Sequence, residues 1–221
     1  MAQTDQTLRY TKHGWKMIRE GERGVFDLDE PEWIDDNKFD RCQTCNSNFS
    51  LFVRRHHCRR CGKLLCGKCC HSKVELWRMG FMDPQLVCNT CVSISQVEKE
   101  LYSVADMFSK GALLMIEEND RSFGHVSKFY FDINTGVIEY ENKPMSISTA
   151  SDITCRMTKD PISGKSILFS LSFRAIHDVD EVKLKLSVSA PEVENKKESM
   201  DWLSGLRLAF SILGKTVAIS S

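Results

Sequence analysis

The sequence predicts two domains of different class: a small α+β domain held together by cysteine ligands, then a β-sandwich or barrel that ends in a helix. Four CxxC units crowd into the segment between Cys42 and Cys91. After about residue 110, short segments alternate apolar and polar side chains, which is the period of half-buried strands, and a helical pattern follows. A chain of 221 residues is long enough for one small and one medium domain.

The expected divisions are residues 1–29 without an interpretable pattern, the cysteine-rich domain at 30–93, a linker helix at 94–109, the β domain at 110–215 and a tail at 216–221. The N-terminus has no apolar core of a signal peptide, and no run approaches the ~18 apolar residues of a membrane span. We therefore expect a cytoplasmic protein, in which disulfides are disfavoured.

The paired cysteines are predicted to bind two Zn²⁺ ions. Each CxxC unit places two thiolates on one tight turn, and two such turns complete a closed tetrahedral site of the structural kind. The four units supply eight ligands: Cys42 and Cys45, Cys58 and Cys61, Cys66 and Cys69, and Cys88 and Cys91.

Spacing alone does not fix which units share an ion. Only four residues separate Cys61 from Cys66, so neighbouring turns closing on one ion would be strained, and an interleaved pairing relieves this. RING domains also interleave, and a RING-like ubiquitin ligase is the enzymatic alternative. Such domains usually place a ligand histidine shortly after the third ligand, however, and residues 59–62 contain none.

Positive charge is concentrated between the cysteines, although the whole chain has a formal net charge of zero. The segment from Arg41 to Val74 contains eight Lys or Arg residues and no Asp or Glu, and the stretch RRHHCRRCG covers residues 54–62. The planar fork of arginine matches phosphate oxygens. Binding of single-stranded nucleic acid needs aromatic residues between the charges, and this run offers only Phe49 and Phe52. The stretch is therefore a poor match to a nucleic-acid site.

Three motifs resemble those of the FYVE zinc fingers, which bind phosphatidylinositol 3-phosphate on endosomes. A W-x-x-D motif reads WIDD from Trp33 to Asp36, and the basic motif R-(R/K)-H-H-C-R is intact from Arg54 to Arg59. The twelve-residue gap after Cys45 and the segment CGKLLCGKC also fit the family, whereas its R-V-C motif reads LVC, with Leu86 in place of arginine. The resemblance covers roughly residues 30–92; protein-binding fingers of the Rab-effector type lack the intact basic motif.

The resemblance implies roles for individual residues. One ion would be held by Cys42, Cys45, Cys66 and Cys69, and the other by Cys58, Cys61, Cys88 and Cys91. Arg54 would face the 1-phosphate, Arg55 and Arg59 the 3-phosphate, and His56, His57 and Asp36 the ring hydroxyls. Leu51 and Phe52 would enter the bilayer, while Phe49 and Val53 pack in a small core. It implies a non-enzymatic protein bound peripherally to early endosomes.

The remaining basic residues and the linker carry structural expectations. The other basic residues of this segment are expected to lie on a solvent-exposed face: Arg60, Lys63, Lys68 and Lys73. The apolar residues Ile94, Val97, Leu101, Val104 and Phe108 recur at helical spacing, which predicts a linker helix packed on a neighbouring surface more than a coiled-coil dimer.

The last part of the chain resembles a PH domain that begins near Lys110. KFYFDINTGVIEY predicts two strands around an Asn134-Thr135-Gly136 turn, and ITCRM, ILFSLSF and VKLKLSV alternate similarly, which leaves Cys155 in the core. A helix is expected to open at Pro191, with Glu192 and Glu194 in its first turn, and to bury Trp202, Leu206, Phe210 and Leu213. Lipid-binding members carry a (K/R)-x-R motif in the first hairpin. Here the motif position reads Lys128-Phe129-Tyr130 beside the acidic loop EENDRS, so we expect a packing or protein-binding module.

Overall fold

The computed structural model describes residues 6–11, 13–19, 21, 23–120, 123–159, 164, 166–188 and 195–220. These residues form two compact units. The first contains the described residues up to Arg23 together with Asp27–Tyr102, and the second contains Gly24–Phe26 and the described residues from Ser103 onward.

The first unit begins with a hairpin that the sequence pattern did not predict. Strands β1 (Gln6–Thr11) and β2 (Gly14–Arg19) pair in antiparallel register. A two-stranded hairpin is marginal on its own. Strand β2 gains a second partner through an antiparallel bridge between Lys16 and Phe81, with a hydrogen bond from Met17 N to Gly80 O (2.8 Å). This pairing, which is distant in sequence, stabilises a segment whose own pattern is weak.

Two short hairpins and one helix form the cysteine-rich part. Strand β3 (Arg55–His57) pairs with β4 (Leu64–Cys66), and β5 (Cys70–Val74) pairs with β6 (Gln85–Cys88). Helix α1 (Asn89–Ser103) follows β6 directly. The small core contains the cysteine side chains and a few apolar residues: Leu65, Leu76, Met79, Phe81 and Val87.

The predicted linker helix is wrong in its extent and in its buried face. Helix α1 begins at Asn89 rather than near residue 94, and a separate short helix, α2 (Ala105–Lys110), follows it. Ile94 and Val97 are each 41% exposed, whereas Leu101 is fully buried as predicted, and α1 buries Cys91, Ser95 and Glu98 in addition. An apolar pattern cannot reveal that arginines neutralise a buried glutamate at one of these positions.

The second unit is a mostly-β domain with a helix near its end, as predicted. Its strands are β7 (Ala112–Glu118), β8 (His125–Asp132), β9 (Val137–Tyr140), β10 (Lys143–Ser146), β11 (Ser151–Lys159), β12 (Ser166–His177), β13 (Asp180–Ser187) and β14 (Ala218–Ser220). They form one sheet in the order β10-β9-β8-β7-β13-β12-β11-β14. All neighbours are antiparallel except β14, which pairs parallel with β11 inside the predicted tail.

The predicted Asn134-Thr135-Gly136 turn is confirmed between β8 and β9. The Asp132 carboxylate accepts the Asn134 N–H (2.8 Å) and the Thr135 hydroxyl (3.0 Å). Gly136 has a φ of +69°, and a Cβ there would meet the Val25 side chain at 2.3 Å, so this position requires glycine.

Helix α3 (Lys196–Ile212) supplies much of the core of the second unit. Trp202, Leu206 and Phe210 are fully buried as predicted, whereas Leu213 is only partly buried. The Phe108 ring on α2 meets the Trp202 ring edge-to-face, with centroids 5.6 Å apart. Cys155 is buried, as expected. The predicted first turn at Pro191, Glu192 and Glu194 lies outside the described residues.

Candidate metal centres and anion site

The eight paired cysteines form two clusters with the predicted interleaved pairing. The Sγ atoms of Cys42, Cys45, Cys66 and Cys69 lie within 4.8 Å of one another, and so do those of Cys58, Cys61, Cys88 and Cys91. A tetrahedral zinc with Zn–S bonds of about 2.3 Å requires S···S separations of roughly 3.8 Å. The Cys45 and Cys66 sulfurs are 3.6 Å apart. The donor sets therefore fit two Zn²⁺ ions of the structural, four-thiolate kind.

The thiols of each cluster lie so close together that ionisation of one disfavours ionisation of its neighbours, and their pKa values therefore diverge. Hydrogen bonding by the Ser47 hydroxyl lowers the pKa of Cys45 to about 6, while burial and neighbouring thiols raise the pKa of Cys69 to about 12. In the second cluster, hydrogen bonds from Cys61 and Cys91 lower the pKa of Cys58, and the pKa of Cys91 rises. Four adjacent thiolates need a divalent cation to offset their mutual repulsion.

Trp33 is the platform on which part of the basic motif rests. The His57 ring stacks on Trp33 with centroids 4.9 Å apart, and the Arg59 guanidinium lies 4.8 Å from the Trp33 ring centre. His57 Nε2 donates to the Ile34 carbonyl (2.6 Å), because a carbonyl can only accept, and it lies 3.5 Å from an Asp36 oxygen. Arg59 also donates to the His57 carbonyl (2.6 Å). The W-x-x-D and basic motifs thus form one cluster.

The other residues of the basic motif lie around strand β3. The Arg55 guanidinium covers the Phe49 ring at 4.7 Å and lies 3.9 Å from an Asp40 oxygen. His56 faces Gly67, where an added Cβ would lie 3.5 Å from His56 Nε2. Arg54 is exposed. The sequence pattern does not reveal that Trp33, Phe49 and Asp40 support these side chains, because such contacts depend on the fold.

Arg60 does not lie on a solvent-exposed face, so the prediction for this residue was wrong. Its guanidinium donates to Glu98 (2.6 Å), which also accepts from Arg78 (2.8 Å), and all three side chains are largely buried. Burial opposes the charge of Arg60, but the Glu98 carboxylate raises its pKa overall. Lys63, Lys68 and Lys73 are exposed, as predicted.

The loop before the basic motif exposes its two central apolar residues. Leu51 is 90% and Phe52 is 96% exposed, whereas Phe49 and Val53 pack partly against the core. Ser50 holds the loop closed: its backbone exchanges two hydrogen bonds with Val53 (3.1 and 3.2 Å), and its hydroxyl accepts the N–H of Phe52. The packing of Phe49 and Val53 is as predicted, and entry of the exposed Leu51 and Phe52 into a bilayer stays a prediction.

Leu86, where the family motif has arginine, is adjacent to the basic motif. Its carbonyl accepts the backbone N–H of Arg59 (2.9 Å), and it pairs with Lys73 across β5 and β6. Its side chain is half-buried against the core. The residue next to Arg59 is therefore apolar at position 86, where the family motif has a charge.

Comparison with known proteins assigns a family to this segment. Residues 32–97 match the model of the FYVE zinc finger family. Human phosphatidylinositol-3,5-bisphosphate 3-phosphatase MTMR4 is 42% identical over 67 residues, covering 30% of this chain and 6% of that protein. The Xenopus laevis MTMR4 is 36% identical over 91 residues (41% and 8%). Arrestin domain-containing protein A of Dictyostelium discoideum is 35% identical over 77 residues (35% and 13%). The chain thus spans at most 13% of the length of these relatives.

Two solved structures are also similar in sequence over this part. The LM5-1 FYVE domain from Leishmania major is 33% identical, covering 31% of this chain and 82% of that one, with a TM-score of 0.29. The VHS and FYVE tandem domains of Hrs are 32% identical, covering 31% and 30%, also with a TM-score of 0.29.

The family match and the two four-cysteine clusters identify residues 32–97 as a FYVE zinc finger. FYVE fingers are a class of phosphoinositide readers in membrane trafficking. The segment shared with the phosphatases is this finger, and nothing in the match extends their named activity to this chain. Among the described residues, no helix is long and apolar enough to cross a bilayer.

Proposed function

We propose that this chain is a non-enzymatic reader of phosphatidylinositol 3-phosphate, bound peripherally to the cytoplasmic face of early endosomes. The observation that carries the proposal is the joint anchoring of His57 and Arg59 on Trp33 beside Asp36. A guanidinium that is already held in place loses little conformational freedom when it binds a phosphate. Arginine also stays charged at any physiological pH and can bind phosphate oxygens with two parallel hydrogen bonds.

The arrangement of charges also supports selection among phosphoinositides. Arg54, Arg55 and Arg59 would hold the 1- and 3-phosphates, and His56 and His57 would bond the ring hydroxyls. Asp36, whose side chain is 58% exposed beside His57, can accept a hydrogen bond from a hydroxyl. The same carboxylate would repel a phosphate at a neighbouring ring position, which disfavours other phosphoinositides.

The exposed loop supplies membrane contact but too little affinity to act alone. Full burial of Leu51 or Phe52 in the bilayer would contribute ~1.5–3 kcal/mol each. The two together give about millimolar binding. Specific recruitment therefore requires the headgroup and the bilayer together.

Vesicle flotation across a panel of phosphoinositides tests the proposal. The full chain should float with vesicles that contain phosphatidylinositol 3-phosphate and should stay behind with phosphatidylinositol or its 4-phosphate. Arg55→Ala with Arg59→Ala should abolish flotation. Lys63→Ala with Lys68→Ala removes the same charge from exposed positions and should change it little. Equal flotation with all lipids, or equal losses in the two variants, would reduce the interaction to nonspecific charge attraction.

We further propose that the sheet unit is a PH-like packing or protein-binding module. Acidic and basic side chains at one end of the sheet neutralise one another, with Lys183 bound to Asp120 (2.8 Å) and Lys185 to Glu117 (2.9 Å). At the position of the lipid-binding motif, Lys128 covers the Tyr130 ring and Phe129 is buried. Residual phosphoinositide binding after Arg55 and Arg59 are both replaced by alanine would assign a lipid site to this unit and contradict the assignment.

A further inference from the structure

The N-terminal hairpin is a two-stranded sheet that is extended on one side by a single bridge to Phe81, within the first unit. Strand β2 lies between β1 and residues 80–82, and Tyr10 is opposite Trp15 in the register of the hairpin. On the other side, Met82 N donates to Trp15 O (2.9 Å), next to the bridge between Lys16 and Phe81. Directly opposed residues of antiparallel strands point to the same face. Tyr10, Trp15 and Met82 therefore form one row, here called the hairpin row.

The hairpin row is open, whereas the other face of the same sheet is covered. Tyr10 is 72%, Trp15 43% and Met82 51% exposed, and the Tyr10 and Trp15 rings meet edge-to-face at 5.2 Å. On the covered face the Lys16 ammonium lies over the buried Phe81 ring at 4.7 Å. Exposed aromatic and apolar side chains that lie in one row are typical of a surface that contacts a partner or a membrane.

The composition of the hairpin favours an anionic bilayer as the occupant. Residues 6–19 contain four Lys or Arg residues and no Asp or Glu. Glu30 and Lys16 form an ion pair (2.7 Å) that adds no net charge, and Asp83 accepts the Trp15 N–H (3.2 Å). Tyr and Trp are enriched where membranes meet water, and basic residues are attracted to anionic lipid surfaces. Charge and aromatic content therefore both complement a membrane.

The hairpin row also adjoins the residues of the anion site. His13, in the turn of the hairpin, contacts the Trp33 ring with centroids 4.4 Å apart. Trp33 is the same ring that carries His57 and Arg59. We propose that the hairpin row is a second bilayer contact, which enters the interfacial region of an anionic membrane beside the headgroup residues. This inference rests on the proposed function, and two of the three residues in the row, Tyr10 and Trp15, lie outside the family match at 32–97.

A matched pair of variants of the full chain tests the hairpin row. Tyr10→Ser with Trp15→Ser should weaken binding to vesicles that contain phosphatidylserine and phosphatidylinositol 3-phosphate by about tenfold to a hundredfold. Zinc content and affinity for soluble inositol 1,3-bisphosphate should be unchanged. The control is Trp77→Ser, since Trp77 is 45% exposed and belongs to the same unit. Unchanged vesicle binding by the double variant would overturn the proposal.

Fluorescence quenching by brominated acyl chains gives a second readout, and it needs only the conservative substitution Trp15→Phe. Vesicles of brominated phosphatidylcholine with phosphatidylserine should quench the wild type, and Trp15→Phe should lose much of that quenching. Equal quenching in both proteins overturns the proposal, and the row would then face a protein partner. If the wild type fails to bind soluble inositol 1,3-bisphosphate but Trp15-dependent quenching persists, the hairpin contact stands and the headgroup proposal fails.

Discussion

Two adjacent cysteines show how one residue type takes different roles at neighbouring positions. The Cys69 sulfur belongs to the first four-cysteine cluster, whereas Cys70 belongs to neither. Cys70 is buried, and this burial raises the pKa of its thiol to about 12, so it stays protonated at neutral pH. A protonated thiol in a core acts as a small apolar side chain.

Alanine at these two positions should therefore have opposite consequences. Cys69→Ala should lose zinc and unfold the finger, because metal binding is coupled to folding at such sites. Cys70→Ala should keep both ions at a cost of about 1 kcal/mol in folding free energy. Zinc content by mass spectrometry under native conditions, with circular dichroism, distinguishes them. Loss of one ion from both variants would show that the assignment of ligands is wrong.

Position 86 is where this finger departs from its family. The carbonyl of Leu86 binds the backbone of Arg59, so a charged side chain there would lie near the anion site. Arg60 is already bound to Glu98 and is not available to replace the missing charge. The natural site is therefore expected to be weaker than that of fingers with the arginine.

Leu86→Arg should tighten binding of phosphatidylinositol 3-phosphate by about tenfold to a hundredfold, the effect of a hydrogen bond to a charged group. Leu86→Gln provides a control of similar size without charge, and zinc content should be constant in both. Vesicle titration measures the affinities. An unchanged affinity in Leu86→Arg, together with a loss in Lys63→Ala, would show that a lysine already compensates.

At the scale of elements, a buried ion cluster fastens helix α1 to the finger. Glu98 on α1 accepts hydrogen bonds from Arg60 and Arg78. Arg60 lies two residues after the zinc-ligand candidate Cys58. A single buried carboxylate that accepts from two cations is well compensated. Removal of the carboxylate would leave two buried arginines without their acceptor.

Glu98→Ala should destabilise the finger by about 3–5 kcal/mol, because it breaks a buried pair from one side. Gln96→Ala, an exposed change on the same helix, should stay within about 0.5 kcal/mol. Urea denaturation followed by tryptophan fluorescence gives the free energies of unfolding. Similar small effects in both variants would mean that the cluster contributes little to the packing of α1.

The loop at 50–53 gives a second prediction at this scale. Leu51→Ala with Phe52→Ala should abolish vesicle binding and spare binding of soluble inositol 1,3-bisphosphate, because both side chains are exposed. Phe49→Ala is the contrasting variant, since Phe49 packs on the core and under Arg55, and it should weaken both kinds of binding. Loss of soluble headgroup binding in the loop variant would show that the loop shapes the site instead of contacting the bilayer.

Sequence patterns predicted the elements whose information is local and missed those that depend on distant partners. The ligands are predictable because each CxxC unit is a local turn, and β8 is predictable because its alternation is strict. The hairpin at 6–19 was missed because the residue that bridges to its second strand, Phe81, is more than 60 residues away in the sequence. The face of α1 was misassigned because Ile94 and Val97 carry the apolar pattern, while Glu98 takes the buried position with its arginines.

In the whole molecule, the two compact units have different proposed functions. The first holds both metal clusters, the basic motif, the exposed loop and the hairpin row, and the second is the sheet with α3. The proposed reader therefore has its lipid contacts in one unit, and the function of the other is expected to involve protein surfaces.

Calorimetric titration of the full chain with soluble inositol 1,3-bisphosphate tests the central claim most directly, because it separates headgroup recognition from membrane attraction. The proposal predicts saturable binding at one site, weaker binding of the 1,4-isomer, and loss of binding in the variant with Arg55→Ala and Arg59→Ala at full zinc content. The variant with Lys63→Ala and Lys68→Ala should bind like the wild type. Absence of binding by the wild type, or equal affinity for the two isomers, would contradict the assignment of this finger as a reader of phosphatidylinositol 3-phosphate.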